Sequence, residues 1–176
     1  PPKIGGIQNY LWELWRRLEP ASVTVHCTPH PEAVACDAHQ PFRIERSPEP
    51  VLLPHPLLPE RIRRLADDVD AELVLLDPAV PLGLVGPRLG RPYGVVLHGA
   101  EVASPGRIPG TRSFLGRVLR GSSLVVSAGR YALDEAERCA DESLPAGVIP
   151  PGVDTGRFCP PSERERSRAR ARFGLN

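Results

Sequence analysis

Short, continuously apolar segments alternate along this chain with segments of helical period, and that alternation leaves few architectures open. ELVLLD at 72–77, YGVVLH at 93–98, SSLVVSA at 122–128 and the shorter GVIP at 147–150 are apolar on both of their alternating faces. Strands covered on both sides by helices read this way, whereas half-solvated strands alternate. Between them lie 79–89, 111–119 and 130–139, each with a helical pattern. The order predicts an open α/β domain with a doubly wound parallel sheet.

The first half extends the scheme. Ile7, Leu11, Leu14 and Leu18 recur at the period of a half-buried helix over 5–18. A strand is expected at 22–27, and an edge strand at 41–47 with Phe42 and Ile44 on one face. A helix at 58–69 carries Leu58, Ile62, Leu65 and Val69 as its buried stripe. No strand precedes Gly5-Gly6, although the first strand of such a sheet is normally central. Its neighbours are therefore expected to lie unpaired, and the chain by itself to fold incompletely. The absence of Met agrees with a piece of a longer protein. At 176 residues one core is expected, over 1–160, with a charged helix at 161–176 leading out of it.

Composition removes several functions. A net charge of +1 gives no global field for nucleic acid, and no run approaches the roughly 18 apolar residues of a membrane span. A cytoplasmic location is the expectation. Cys27-x2-His30 followed by Cys36-x2-His39 offers four zinc ligands on paper, but the spacing is not that of a common structural zinc site, and no metal is expected.

Three signals carry the chemistry. Gly5-Gly6 opens a helix, where close backbone approach and free N–H groups suit a phosphate. His98-Gly99 follows a buried strand, which places an imidazole at the mouth of a cleft, with Glu101 just beyond. Pro150-Pro151-Gly152-Val153-Asp154 runs from a strand into a rigid turn. The dinucleotide fingerprint GxGxxG is absent, as is the GxSxG elbow of serine hydrolases.

In this order, Pro2-Lys3-Ile4-Gly5-Gly6-Ile7-Gln8, His98-Gly99-Ala100-Glu101-Val102 and Pro151-Gly152-Val153-Asp154 with Arg157-Phe158 resemble the N-terminal domain of the family 4 retaining glycosyltransferases of GT-B fold. The likeness runs over nearly the whole chain. Within the family it is similar to the actinobacterial mannosyltransferases that extend phosphatidylinositol mannosides from GDP-mannose. Ala100 stands where that subgroup places a second His, and Asn9 where it has a small hydroxyl residue.

The resemblance implies a Rossmann-like acceptor-side half whose nucleotide sugar, GDP-mannose, sits on a second domain. Transfer to a lipid or small-molecule acceptor would need no metal and no other cofactor. Gly5 and Gly6 would approach the donor diphosphate or an acceptor phosphate, Gln8 the acceptor, and His98, as catalytic residue, the transferred sugar. Glu101 and Asp154 would line the cleft. For a lipid acceptor, Arg61, Arg63 and Arg64 beside Leu57 and Leu58 are candidates to meet an anionic membrane surface, the inner face of the plasma membrane. Two other readings stay open on residues alone: a non-catalytic binding module or remnant, and a nucleotide-sugar epimerase of the same two-domain shape.

Overall fold

A computed structural model of the chain describes residues 2–106, 108 and 110–175; Pro1, Arg107, Pro109 and Asn176 lie outside the described residues. The elements run α1 (Gly6–Trp15), β1 (Thr24–Cys27), α2 (Ala33–Asp37), β2 (Arg43–Arg46), α3 (Leu58–Asp68), β3 (Val74–Leu76) and β4 (Tyr93–Leu97). They continue with α4 (Ala100–Gly106), α5 (Thr111–Arg120), β5 (Leu124–Ser127), α6 (Arg130–Ala140), β6 (Ala146–Val148) and α7 (Glu163–Arg172).

The four apolar runs form one parallel sheet in the order β3-β4-β5-β6, in register through Leu76↔Val95, Val95↔Val125 and Val125↔Ala146. All five residues of β4 are buried. Their side chains separate by parity, as a pleated strand requires. Leu76, Val95, Leu97 and Val125 join the larger core, with Val102 of α4, Leu115, Val118 and Leu119 of α5, and Ala132, Ala136 and Cys139 of α6. Val96 and Val126 face the other way, onto Tyr10, Leu11, Leu14 and Trp15 of α1. Helices thus cover both faces, and that two-sided cover is the physical reason these strands are continuously apolar.

The strands do not make one continuous sheet. β1 and β2 pair in parallel as a separate two-stranded sheet, with Val25 opposite Ile44, so β3 is an edge of the larger sheet.

Several boundaries differ from the sequence expectation. α1 stops at Trp15, leaving Leu18 45% exposed, and its buried member is Tyr10 and not Ile7, which is 42% exposed. On α3 the buried residues are Leu58, Pro59 and Ala66. The segment 79–89 is a 3₁₀ turn, Leu82–Arg88, and not an α-helix. Pro87 inside it lacks the N–H that an α-helical ladder needs. α2 and α4 are too short to show a helical period in the sequence. α7 forms as expected, opened by a capping box in which Ser162 N donates to Glu165 Oε2 at 2.8 Å, and all its residues are exposed.

Candidate active site

Parallel strands deliver their following residues to one edge, and ligands of open α/β sheets gather there. Asp77 follows β3, His98 follows β4, Ala128 follows β5 and Ile149 follows β6. α1 lies over this edge. The Tyr10 hydroxyl donates to the carbonyl of Ile149 at 2.8 Å, and the Tyr10 ring meets His98 edge-on, with centroids 5.5 Å apart and planes at 89°. Burial pushes the Tyr10 phenol up, so it stays a neutral donor.

His98 is the centre of this group. Its side chain is 10% exposed, and Nε2 lies 2.8 Å from Asp77 Oδ1. Burial pulls the imidazole pKa down. The Asp77 hydrogen bond and the charges of Asp77 and Glu101 outweigh that pull, so the net direction is upward from 6.5. The backbone at His98 is held as firmly as the ring. Glu101 Oε1 accepts from the N–H of His98 and, at 3.0 Å, from that of Gly99, to which Oε2 adds 3.1 Å. Gly99 has φ of +137°, a region that a side chain makes costly, so the strand can turn into α4 here only through glycine.

The structure brings some of the sequence-derived residues together and leaves others apart. Gly5 and Gly6 start α1, with no side-chain cap and no acidic residue in the first turn. Of α1, it is Tyr10 that meets the His98 edge, one turn further along the helix than Gly6. Gln8 folds its carboxamide back onto Gly5, where a Cβ would collide with Gln8 Oε1. The Glu101 carboxylate is spent on backbone N–H groups. Asp154 is exposed and closes its own turn, accepting from Gly156 N at 2.9 Å and Arg157 N at 3.1 Å.

Arg61, Arg63 and Arg64 lie on α3, away from the His98 group in the sequence of elements, and each has a carboxylate partner. Arg61 pairs with Glu49, Arg63 with Glu60 at 2.6 Å, and Arg64 with Glu60 at 3.0 Å. Among the described residues no group of three or more His, Cys, Asp or Glu converges as metal ligands. His39 Nδ1 instead bonds the Ala35 carbonyl at 2.7 Å, and Cys36 Sγ lies 3.7 Å from Gln40 Nε2.

Sequence reasoning missed Asp77 and Tyr10. Asp77 ends the apolar run at 72–77 as His98 ends that at 93–98, so its place after a strand was a usable signal. Tyr10 sits three residues after Ile7 and four before Leu14, on the stripe already recognised. A shallow pocket beside α1, lined by Pro2, Lys3, Ile4, Asn9, Trp12 and Gln40, had no such signal. Gln40 reaches it from a distant segment, accepting from Trp12 Nε1 at 2.5 Å.

Comparison with known proteins shows the family and the fold. The family model described as Glycosyltransferase Family 4 matches residues 4–157. The GDP-mannose-dependent alpha-(1-6)-phosphatidylinositol monomannoside mannosyltransferase of Mycolicibacterium smegmatis is 35% identical over 186 residues, covering 99% of this chain and 47% of that protein. A Corynebacterium glutamicum protein, the GDP-mannose-dependent monoacylated alpha-(1-6)-phosphatidylinositol monomannoside mannosyltransferase, is 27% identical over 181 residues, with 99% and 47% covered. Among solved structures, Anabaena Alr3699/HepE in complex with UDP superposes with a TM-score of 0.70 at 16% identity, over 99% of this chain and 48% of that one. The chain spans about half the length of the curated relatives it matches.

Proposed function

This chain belongs to Glycosyltransferase Family 4, and from that premise we propose that it is the acceptor-side half of a retaining glycosyltransferase. The enzyme would move mannose from GDP-mannose to a lipid or small-molecule acceptor of the phosphatidylinositol mannoside class. The observation that carries the reading is His98, held at the carboxyl edge of β4 between Asp77 and Tyr10. The names of the similar mannosyltransferases supply the donor and acceptor classes.

In this reading the nucleotide sugar is bound by a second domain and enters the cleft over the sheet edge. The Gly5-Gly6 N–H groups meet an anionic oxygen of the diphosphate or of an acceptor phosphate. Gln8, beside them, contacts the acceptor. His98 meets the transferred sugar as the bond to diphosphate breaks. Glu101 acts by fixing the His98 backbone, and Asp154 by shaping the exit turn. Transfer would need no metal ion. The exposed Leu57, 70% accessible, and the arginines of α3 would face anionic lipid at the inner face of the plasma membrane, from the cytoplasm.

A transfer assay tests this, with the full-length protein, labelled GDP-mannose and phosphatidylinositol monomannoside, with and without EDTA. Label is expected in the lipid, at a rate unchanged by chelation. His98→Ala should fold normally and lose about a hundredfold or more of the rate. Transfer to no acceptor from GDP-mannose or UDP-sugars would reject the reading, and near-normal turnover by His98→Ala would reject its role.

A further inference from the structure

His98 uses one ring nitrogen on the protein and leaves the other open. Nε2 faces Asp77 Oδ1 at 2.8 Å. Nδ1 bonds no group among the described residues and is not fully buried. Nδ1 is therefore accessible at the sheet edge. We propose that Asp77 is a positioning residue for the transfer reaction: its carboxylate holds His98 by Nε2–H and so presents Nδ1 to the substrate.

The inference rests on the reading of His98 as the residue that meets the sugar, and it adds which atom does so and what aims it. A neutral imidazole has one N–H and one lone pair, and the partner of one nitrogen decides the state of the other. A carboxylate has only acceptors, so it selects the tautomer with hydrogen on Nε2. In the neutral ring, Nδ1 then carries the lone pair; when the ring is protonated, Nδ1–H becomes a donor to a substrate oxygen.

Asp77, Glu101 and Tyr10 are the titratable groups that act on the imidazole. Asp77 comes from the end of β3, Glu101 from α4 and Tyr10 from α1. Both charged neighbours are carboxylates, which favours the protonated ring, and Tyr10 adds an aromatic wall that fixes the plane. A ring so charged and paired can donate from Nδ1 while the pair as a whole stays neutral, which limits repulsion of the positive sugar centre.

The test is the full-length protein carrying Asp77→Asn and, separately, Asp77→Ala. Asparagine can still accept from Nε2–H but lacks the charge, whereas alanine removes both. Two readouts apply: nitrogen-15 NMR of the His98 ring across pH, and the pH profile of transfer. The wild-type ring is expected to be protonated on Nε2 when neutral. Asp77→Asn should keep that tautomer, lower the titration midpoint and move the alkaline limb of kcat/KM down with it. Asp77→Ala should lose the tautomer preference and about tenfold or more in kcat, with the KM for GDP-mannose little changed. An unchanged tautomer and unchanged pH profile in Asp77→Ala would overturn the proposal, as would variants that lose only melting temperature. Should the wild-type protein transfer no sugar, the functional reading fails, and the ring titration still decides whether Asp77 sets the state of His98.

Discussion

The two well-placed imidazoles of this chain titrate in opposite directions, and the difference is one of partners. His98 has a carboxylate at 2.8 Å, so its protonated form is favoured in the fold. His26 in β1 has the carbonyl of Glu45 at 3.1 Å on Nδ1, while Nε2 is buried with no partner. Burial is the largest influence and lowers the His26 pKa below 6.5, helped by Arg61 and opposed by the Glu45 carbonyl and the charges of Glu45 and Glu49. The linkage signs follow. His26 contributes stability above 6.5 that is lost as pH falls through its lowered value. His98 contributes stability below 6.5 that is lost as pH rises through its raised value. Replacing His26 by Gln should therefore flatten the acid side of the stability curve. Melting temperature between pH 7 and 5 should fall less in His26→Gln than in the wild type; parallel curves would show that the buried ring does not matter.

Elements are joined here by close backbone approach as much as by side chains. α5 packs on α6 through Gly116, where an added Cβ would stand 2.7 Å from the Cys139 carbonyl oxygen. In an isolated helix, alanine is favoured over glycine by about 1 kcal/mol. The overpacking cost in a filled interface is about 1–3 kcal/mol and wins. Gly116→Ala should thus lower the urea midpoint, and a raised midpoint would mean that α5 can move off α6 freely. The apolar runs that became β3 to β6 were legible because burial on both faces imposes a composition. α2 and α4 were not, since a segment of five to seven residues is too short for a 3.6-residue period to emerge, and 79–89 carries a helical pattern although Pro87 denies it an α-helical ladder. That loss mattered most at α4, whose first turn supplies the Glu101 clamp on the His98 backbone.

At the scale of the whole molecule, the fold is a Rossmann-like α/β half of the GT-B type, matching 48% of a solved two-part chain. No helix among the described residues is long and apolar enough to cross a membrane. Contact with a bilayer would then rest on the surface around α3. There, Arg61, Arg63 and Arg64 pair with Glu49 and Glu60, and Asp67 and Asp68 of the same helix pair with Arg91 and Arg43, while Leu53 and Leu57 are exposed. Surface pairs of this kind are weak and yield to competing anions. The full-length protein should sediment with anionic vesicles more than with neutral ones, and Arg→Ala at all three positions should lower that binding. Equal binding to both vesicle types, unaffected by the substitutions, would remove the membrane surface from the proposal.

By itself the sequence determined the class of fold, the order of its elements and the landing of His98 beyond a strand. Each of these follows from local composition, because two-sided burial and strand ends leave their mark on consecutive residues. Only the tertiary structure decided that Asp77 meets His98 across adjacent strands, that Tyr10 anchors α1 over the same edge, and that Glu101 and Asp154 spend their carboxylates on backbone N–H groups. It also decided that the arginines of α3 are paired. Such matters depend on which distant segments share a few ångströms of space, and hydrogen-bond partners chosen across that space leave no period in the chain.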